Sequence, residues 1–212
     1  MSDSEDHPSV VCLRSPDSDE ALPGFELGGF MGTWYVTHST LPMWKSRKDV
    51  TISYTLIPSS AGQPIQFEDV VEYRSKNDLP TSKRSRIVGI DTLLPSSLAP
   101  RPAGTAASSE RATETRFKWR GKGWLLIASS RWHILGCSAT AHPADSPSGR
   151  PEWAPTSFEK TPFTPAGLDV YSRTPEGLPA ALLEEIIHRA KALGGDVSKL
   201  AEQLFEVGRS AS

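Results

Sequence analysis

The stretch Gly32-Thr33-Trp34-Tyr35-Val36-Thr37-His38 decides the fold of this chain, because a Gly-x-Trp motif opens an alternating segment there. A period of two is typical of a strand that buries one of its faces. One face carries Trp34, Val36 and His38, and the other carries Tyr35 and Thr37. The segment is therefore predicted to be the first strand of an antiparallel sheet.

The same period recurs along most of the chain. The alternating segments are residues 50–56, 65–73, 87–90 (the weakest), 113–119, 124–135, 157–161 and 168–173. Residues 124–135 exceed the length of an ordinary strand, so a bend or bulge near Ser129, or two strands, is expected there. Gly121 and Gly123 can take positive φ, and they predict a hairpin turn between two of these strands.

Near the C-terminus the period becomes helical. Apolar residues recur at helical spacing over residues 182–193 and again over 197–205, and glycines follow each segment. We therefore predict a mostly β fold: an antiparallel up-and-down barrel of about eight strands followed by two C-terminal α-helices. Closure leaves no unpaired sheet edge, and a barrel of this size encloses room for one small ligand.

One domain, residues 24–208, is expected between two tails. Residues 1–23 are rich in acidic residues, Ser and Pro, and they predict a disordered tail, while residues 209–212 form a short C-terminal tail. The Pro-rich segments 94–111 and 138–151 are predicted to be long loops.

Charge and motifs exclude several classes of function. The formal net charge of −2 favours neither nucleic acid nor an anionic membrane, and the short basic runs at 45–48 and 83–86 indicate solvated loop charges more than phosphate-binding patches. No segment is apolar for long enough to span a membrane. The sequence contains no phosphate loop, nucleophile elbow or zinc-type Cys/His cluster, so neither a metal nor a cofactor is expected.

Features of the N-terminus and the cysteines predict the cellular compartment. Residues 1–20 lack the apolar core of a signal peptide. Cys12 and Cys137 are the only cysteines, and no structural disulfide is expected because Cys12 lies in the predicted tail. A reducing, cytoplasmic location is therefore expected.

Gly32-Thr33-Trp34, the number of strands and Arg173 at the end of the last strand together resemble the lipocalin/calycin superfamily. The resemblance covers about residues 28–173, and it implies that Trp34 closes one end of the barrel while Arg173 packs across its indole in a cation–π contact. Secreted members carry a signal peptide and often a disulfide, so this chain is more similar to an intracellular lipocalin-like protein. The alternative is that Trp34 is an ordinary core residue of another antiparallel fold.

Three polar residues could lie inside such a barrel. His38 shares the face of Trp34, so it is predicted to bind a ligand or act as acid or base near the open end, unless a neighbour or a water satisfies it. Asp69 interrupts an apolar face; it is either an inward carboxyl with a raised pKa or part of a bulge that turns it outward, and the bulge is slightly favoured. Arg131 points either inward, to anchor an anionic group, or outward as a surface charge, with equal support.

Aromatic residues at strand spacing are predicted to line the interior. These residues are Tyr54, Phe67, Tyr73, Phe117 and Trp119. Met43 and Trp44 follow the first strand, and they form either a lid over the mouth or a loop packed on the rim.

The leading hypothesis is a cytosolic barrel that binds a small, largely apolar molecule, with His38 and Arg131 setting its orientation. The second is a cofactor-free isomerase or cyclase acting on a hydrophobic metabolite, with His38, Asp69 and Tyr73 as the first catalytic candidates. The third is a non-catalytic interaction protein that docks through its C-terminal helices. The sequence leaves open whether any reaction occurs, and it leaves open the oligomeric state.

Overall fold

A computed structural model of the chain describes residues 11–60, 62–95, 112–123, 127–138 and 152–210. Eight antiparallel strands run in sequence order around a barrel: β1 Gly32–Ser39, β2 Arg47–Ile57, β3 Gln66–Ser75, β4 Ser85–Leu93, β5 Arg116–Gly121, β6 Ser129–Ile134, β7 Trp153–Phe158 and β8 Gly167–Ser172. Strand β1 pairs with both β2 and β8, and this double pairing closes the barrel. The predicted up-and-down barrel is confirmed.

The helices lie where the helical period predicts them. A short helix, α1, Leu27–Phe30, precedes the barrel, and α2 Ala180–Ala192 and α3 Gly195–Ala201 follow it. The second C-terminal helix ends earlier than predicted, because the chain extends into a ninth strand, β9 Phe205–Glu206, which pairs antiparallel with His38 and Ser39 at the end of β1.

The apolar faces of the C-terminal helices are covered by the barrel wall. Ile186 of α2 packs against Val170 and Trp153, whose side chains leave the outer face of β8 and β7. Val197 of α3 packs in a second cluster with Leu168. The helices therefore use these faces for packing on the barrel, so the apolar side chains named here are not available to a partner.

The floor of the barrel is closed by Trp34. Its indole is fully buried, and Nε1 donates a hydrogen bond to the carbonyl oxygen of Phe30 at 2.8 Å. The guanidinium carbon of Arg173 lies 3.6 Å from the centre of the indole ring. The same guanidinium donates to the carbonyl oxygens of Thr33, Gly29 and Phe30 at 3.0, 2.8 and 3.1 Å. The predicted pairing of Trp34 with Arg173 is confirmed.

Aromatic rings fill the half of the barrel next to this floor. The ring of Phe30 stacks on Tyr54 with centroids 5.3 Å apart, and Phe117 packs against Trp132 at 4.5 Å. Phe67 contacts Phe117 edge to face at 5.2 Å. Because these rings occupy the floor half, an open space remains only toward the other end, which we call the mouth.

Residues 11–23 differ from the predicted disordered tail. Val11 is buried beside Trp153, and Leu22 is buried in the barrel cluster. The backbone N–H of Arg14 donates to the carbonyl oxygen of Leu135 at 2.7 Å, which ties the segment to the barrel. The tail prediction failed here because acidic and Pro residues outweigh a few well-spaced apolar side chains in the composition.

Other predictions fall partly outside the described residues. Residues 1–10, and most of the predicted loops 94–111 and 138–151, are not among those described. Cys12 and Cys137 are both free thiols. Within the described ranges, no helix combines the length and the apolar character needed to cross a membrane.

Replacement of Arg173 by Met is expected to destabilise the protein by roughly 2–4 kcal/mol, because it removes the cation–π contact and three hydrogen bonds to backbone carbonyls. Urea denaturation followed by circular dichroism measures the loss. Arg131→Met is the matched control, since Arg131 is exposed on β6, and it should change stability by less than about 0.5 kcal/mol. Equal effects of the two substitutions would contradict the role of Arg173 in closing the floor.

Candidate functional site

A cavity of about 480 Å³ lies between the aromatic floor and the mouth. Its wall is mostly apolar and aromatic. The side chains that line it include Trp44, Tyr54, Asp69, Trp119, Asp169 and Tyr171, and those of Met43, Ile127 and Phe163 lie at its rim. A volume of this size is in the ordinary range for a site that encloses a small organic ligand.

Trp44 and Met43 sit on a 3-10 helix, Pro42–Ser46, that crosses part of the mouth directly after β1. The indole of Trp44 is buried, and it meets Tyr73 edge to face with centroids 5.8 Å apart. Met43 lies on the rim and is partly exposed. Both residues line the cavity, so this helix covers part of its opening.

Three aspartates are buried on the inner faces of the strands: Asp69 on β3, Asp91 on β4 and Asp169 on β8. Asp69 and Asp169 line the cavity, whereas Asp91 lies deeper, toward the floor. An inward carboxylate is costly in an apolar wall unless a hydrogen bond or an opposite charge compensates it. No Lys, Arg or His side chain is among the residues that line the cavity.

Asp69 and Asp91 are diagonal neighbours on the same face of the sheet. The register pairs Asp69 with Gly89 and Phe67 with Asp91. The indole N–H of Trp132 donates to Oδ1 of Asp91 at 2.7 Å, but Oδ2 of Asp91 and Oδ1 of Asp69 have no partner in the described protein. Burial raises the pKa of Asp69 to about 7. Burial, with the nearby Asp69 carboxyl adding to it, raises the pKa of Asp91 well above its usual range.

Asp169 faces the same cavity from the opposite wall. The hydroxyl of Ser39 donates to its Oδ1 at 2.5 Å, and Ser39 is itself held by the backbone N–H of Leu41 at 2.9 Å. The indole N–H of Trp44 is its other polar neighbour, although it does not reach full hydrogen-bond geometry. Burial raises the pKa of Asp169 to about 7, and these two donors hold it lower than burial alone would.

Two phenols accompany the carboxyl groups. Tyr54 and Tyr171 line the cavity, and burial raises the pKa of each hydroxyl well above its usual range, so both are neutral donors at physiological pH. Tyr171 lies near the hydroxyls of Tyr54 and Thr156, yet its own hydroxyl completes no hydrogen bond of ordinary geometry. The cavity therefore offers polar groups that the protein leaves only partly satisfied.

Gly89 makes room for one wall of the cavity. A Cβ atom at this position would lie 2.0 Å from Nε1 of Trp119. Any other residue would therefore push the indole of Trp119 away from the sheet. The glycine therefore leaves room for this large ring at the position that pairs with Asp69 across the strands.

The prediction for His38 was wrong about its direction. The register between β1 and β8 shifts between Val36 and His38, so a bulge inverts the faces of the strand beyond this point. Ser39 therefore points to Asp169, while His38 lies opposite Glu206 of β9 and contacts the hydroxyl of Thr37 at 3.3 Å. Burial lowers the pKa of His38. His38 does not line the cavity.

For Asp69 the favoured alternative was wrong. Strands β2 and β3 pair without a break from Thr51–Glu72 to Ile57–Gln66, so no bulge turns Asp69 outward. The other alternative, an inward carboxyl with a raised pKa, agrees with the structure.

Arg131 takes the outward alternative. Trp132 and Ile134 are the buried residues of β6, whereas Arg131 is exposed and His133 contacts Glu159 at 3.5 Å. Arg131 therefore cannot anchor a ligand inside the barrel.

The predicted aromatic lining divides into two groups. Tyr54 and Trp119 line the cavity as predicted. Phe67 and Phe117 are fully buried in the floor half, below the cavity. Tyr73 packs behind Trp44, with the guanidinium of Arg47 over its ring at 5.1 Å. These three rings support the site without bordering the cavity.

Sequence analysis missed Asp91, Asp169 and Tyr171. The signal for Asp169 was present, because Asp169 and Tyr171 alternate with Leu168 and Val170 in a strand that is buried on both faces. A polar residue inside such a segment must point into a core. Asp91 followed a segment that was predicted only weakly. In the described part of the chain, no group of three or more His, Cys, Asp or Glu side chains could hold a metal ion.

At the level of sequence, no protein-family model matches the chain, and no curated protein matches it. Solved structures with a similar barrel include the amine binding protein of Rhodnius prolixus in its tryptamine complex, with 12% identity, coverage of 93% of this chain and 86% of that chain, and a TM-score of 0.52. Apocrustacyanin C1 shows 13% identity, coverage of 87% and 80%, and a TM-score of 0.51.

Insecticyanin from the tobacco hornworm Manduca sexta shows 12% identity, coverage of 95% of this chain and 90% of that chain, and a TM-score of 0.50. Identities this low carry information about the fold alone. Together with the closed eight-stranded barrel and the Trp34 floor, they show that the chain has the lipocalin fold.

Proposed function

We propose that the barrel binds a small, largely apolar molecule that carries a protonated nitrogen. The ligand would occupy the cavity beneath Trp44, with its cation between Asp69 and Asp169. The observation that carries this proposal is the pair of buried carboxyl groups on a wall that otherwise consists mainly of apolar and aromatic side chains. This combination matches an amphipathic cation better than a wholly apolar ligand or an anion.

The energetic argument has an apolar part and an ionic part. Burial of the ligand's apolar surface contributes about 25 cal/mol per Å². Unpaired carboxylates in this wall are unfavourable, and a bound ammonium group would compensate them with a charge-assisted hydrogen bond. The hydroxyls of Tyr54 and Tyr171 could orient the same head group. A ligand without a cation would have to leave these carboxyls uncompensated or bind them in the protonated form.

One structure of the same fold also bears on the proposal. The Rhodnius prolixus protein of the same fold is described as an amine binding protein in complex with tryptamine. At 12% identity this likeness does not transfer a ligand, but it supports the idea that a barrel of this fold can hold an amine.

A second candidate is the cofactor-free isomerase or cyclase. The observation that favours it is Asp69, whose pKa of about 7 suits a general acid at the wall of an apolar cavity. His38 and Tyr73 do not border the cavity, so Asp69 or Asp169 would have to move the proton. Conversion of a bound metabolite that stops in Asp69→Asn, while binding persists, would favour the enzyme; release of every ligand unchanged would favour the carrier.

Cytoplasmic location stays a prediction. It rests on the composition of the N-terminal residues and on the two free cysteines. Fractionation of the native host with an antibody against the protein tests it.

Calorimetric titration with tryptamine, its neutral analogue tryptophol and the anionic indole-3-propionate tests the ligand class. We expect tryptamine to bind at least about tenfold more tightly than tryptophol, and the acid to bind most weakly, because only the amine compensates the carboxylates. Asp69→Asn and Asp169→Asn should each weaken the binding of tryptamine by about 10- to 100-fold and leave the affinity for tryptophol nearly unchanged.

Glu68→Gln is the matched control for these variants. Glu68 is the neighbour of Asp69 on β3, but it lies on the outer face and pairs with Lys122 at 2.8 Å. The Glu68→Gln substitution also replaces one carboxyl group by an amide, but it does so outside the cavity, so the affinity for tryptamine should not change. Equal affinity for the amine and the alcohol in the native protein would refute the cationic ligand class.

The pH dependence of stability gives an independent prediction. Between about pH 4 and pH 7 the folded protein keeps protons on Asp69 and Asp169 that the unfolded chain has lost, because burial raises both pKa values to about 7. The contribution of these groups to the free energy of unfolding therefore falls as pH rises through this window. For the ligand-free protein, the free energy of unfolding of each variant, Asp69→Asn or Asp169→Asn, is compared with that of the native protein. The difference in favour of the variant should be larger at pH 8 than at pH 5 by roughly 1–3 kcal/mol.

Urea denaturation at both pH values measures this difference between each variant and the native protein. The comparison between proteins is needed because burial lowers the pKa of His38 and His133, which changes stability in the opposite direction below about pH 6.5. Identical pH profiles for the native protein and both variants would show that the carboxyls are already compensated when the cavity is empty.

A further inference from the structure

Exposed apolar side chains are concentrated around the mouth. Four strand connections meet there, and their described residues are 40–46, 76–84, 122–123 with 127–128, and 159–166. Among these described residues, each connection contributes one large apolar side chain to solvent: Met43 (41% exposed), Leu79 (70%), Ile127 (83%) and Phe163 (70%). Among the described residues, no other large hydrophobic side chain is exposed to this degree. Such a grouping marks an interaction surface more often than a random scatter does.

The same four connections are basic. Their described residues include the basic side chains Lys45, Lys76, Lys83, Arg84, Lys122 and Lys160, against the acidic side chains Asp78 and Glu159. The chain as a whole has a formal net charge of −2, so the mouth is positive on a slightly acidic protein. Lys122 pairs with Glu68, and Arg84 donates a hydrogen bond to the carbonyl oxygen of Glu72 at 2.8 Å. No ion pair found among the described residues involves Lys76, Lys83 or Lys160, which are all exposed.

We propose that the mouth of the barrel docks on the surface of a membrane that contains anionic lipids. Apolar side chains at the tips of separate loops can enter the boundary between head groups and acyl chains, while flanking lysines contact the anionic head groups. The two basic runs of the sequence, at 45–48 and 83–86, contribute Lys45 and Lys83 to this surface. Their role follows from their position beside exposed apolar tips, and neither run is a binding site by itself.

Charge distinguishes this occupant from a second copy of the chain. Two mouths facing each other would bring two positive rims together, which opposes association at low salt. An anionic lipid surface complements both the lysines and the apolar tips. The apolar side chains of the rim come from four separate loops. This arrangement suits insertion of several loop tips into a membrane surface better than it suits packing against a flat protein surface.

Docking would connect the bilayer directly to the cavity. Met43, Ile127 and Phe163 border the cavity and also form three of the four exposed tips. A largely apolar molecule could then pass between the acyl region and the barrel without crossing bulk water. This consequence does not depend on the charge of the ligand, so the docking proposal stands or falls separately from the amine proposal.

Co-sedimentation with vesicles tests the proposal on the full chain. Vesicles of phosphatidylcholine alone are compared with vesicles that contain about one third phosphatidylserine, at several salt concentrations. We expect binding to the anionic vesicles that weakens as salt rises, and much weaker binding to phosphatidylcholine. The double substitution Ile127→Ser/Phe163→Ser should weaken binding by at least about tenfold. Lys83→Gln/Lys160→Gln should weaken it by about fivefold per lysine.

Lys191→Gln/Lys199→Gln is the matched control, because these exposed lysines lie on α2 and α3 and their loss changes the net charge equally. It should bind as the native protein does. The proposal would be overturned if the two double lysine variants bound anionic vesicles equally well. It would also be overturned if the native protein did not bind anionic vesicles. Self-association that Ile127→Ser/Phe163→Ser abolishes, seen by analytical ultracentrifugation, would assign the rim to a second copy and would also overturn it.

Discussion

The contact between Arg173 and Trp34 is the interaction on which the rest of the structure depends. The guanidinium covers the indole at 3.6 Å and holds three carbonyl oxygens from the chain segment that crosses the floor. It therefore joins the end of the last barrel strand to the start of the first. With the floor closed, aromatic rings can fill one half of the barrel, and the open space is confined to the other half.

The buried carboxyl groups are the main constraint on function. Hydrophobic packing would be stronger if apolar residues stood at Asp69, Asp91 and Asp169, since buried charges rarely stabilise a fold by their own pairing. Trp132 and Ser39 satisfy only part of the hydrogen-bonding capacity of Asp91 and Asp169, and one oxygen of Asp69 has no partner in the described protein. Burial of partly unsatisfied carboxyl groups destabilises the empty barrel, and a ligand that donates hydrogen bonds to them would offset this loss of stability.

The mouth shows why overall composition is a poor guide to partners. A net charge of −2 averages the acidic N-terminal residues with a basic rim. Binding depends on local fields and local apolar area, and these are properties of the surface that the folded chain presents. The connections that form the rim are far apart in sequence, so their shared character becomes visible only when the barrel brings them together.

The sequence by itself determined the strands and the two C-terminal helices, because hydrophobic period is a local property. The resemblance of its motifs to the lipocalin/calycin superfamily implied the barrel and the pairing of Trp34 with Arg173. Only the tertiary structure decided which side chains enter the cavity. A bulge after Val36 sends His38 outward and Ser39 inward, while unbroken register keeps Asp69 inside. The direction in which each side chain of a strand points depends on the register of its hydrogen bonds to the neighbouring strands. One shifted pair reverses the inward and outward directions of every residue beyond it.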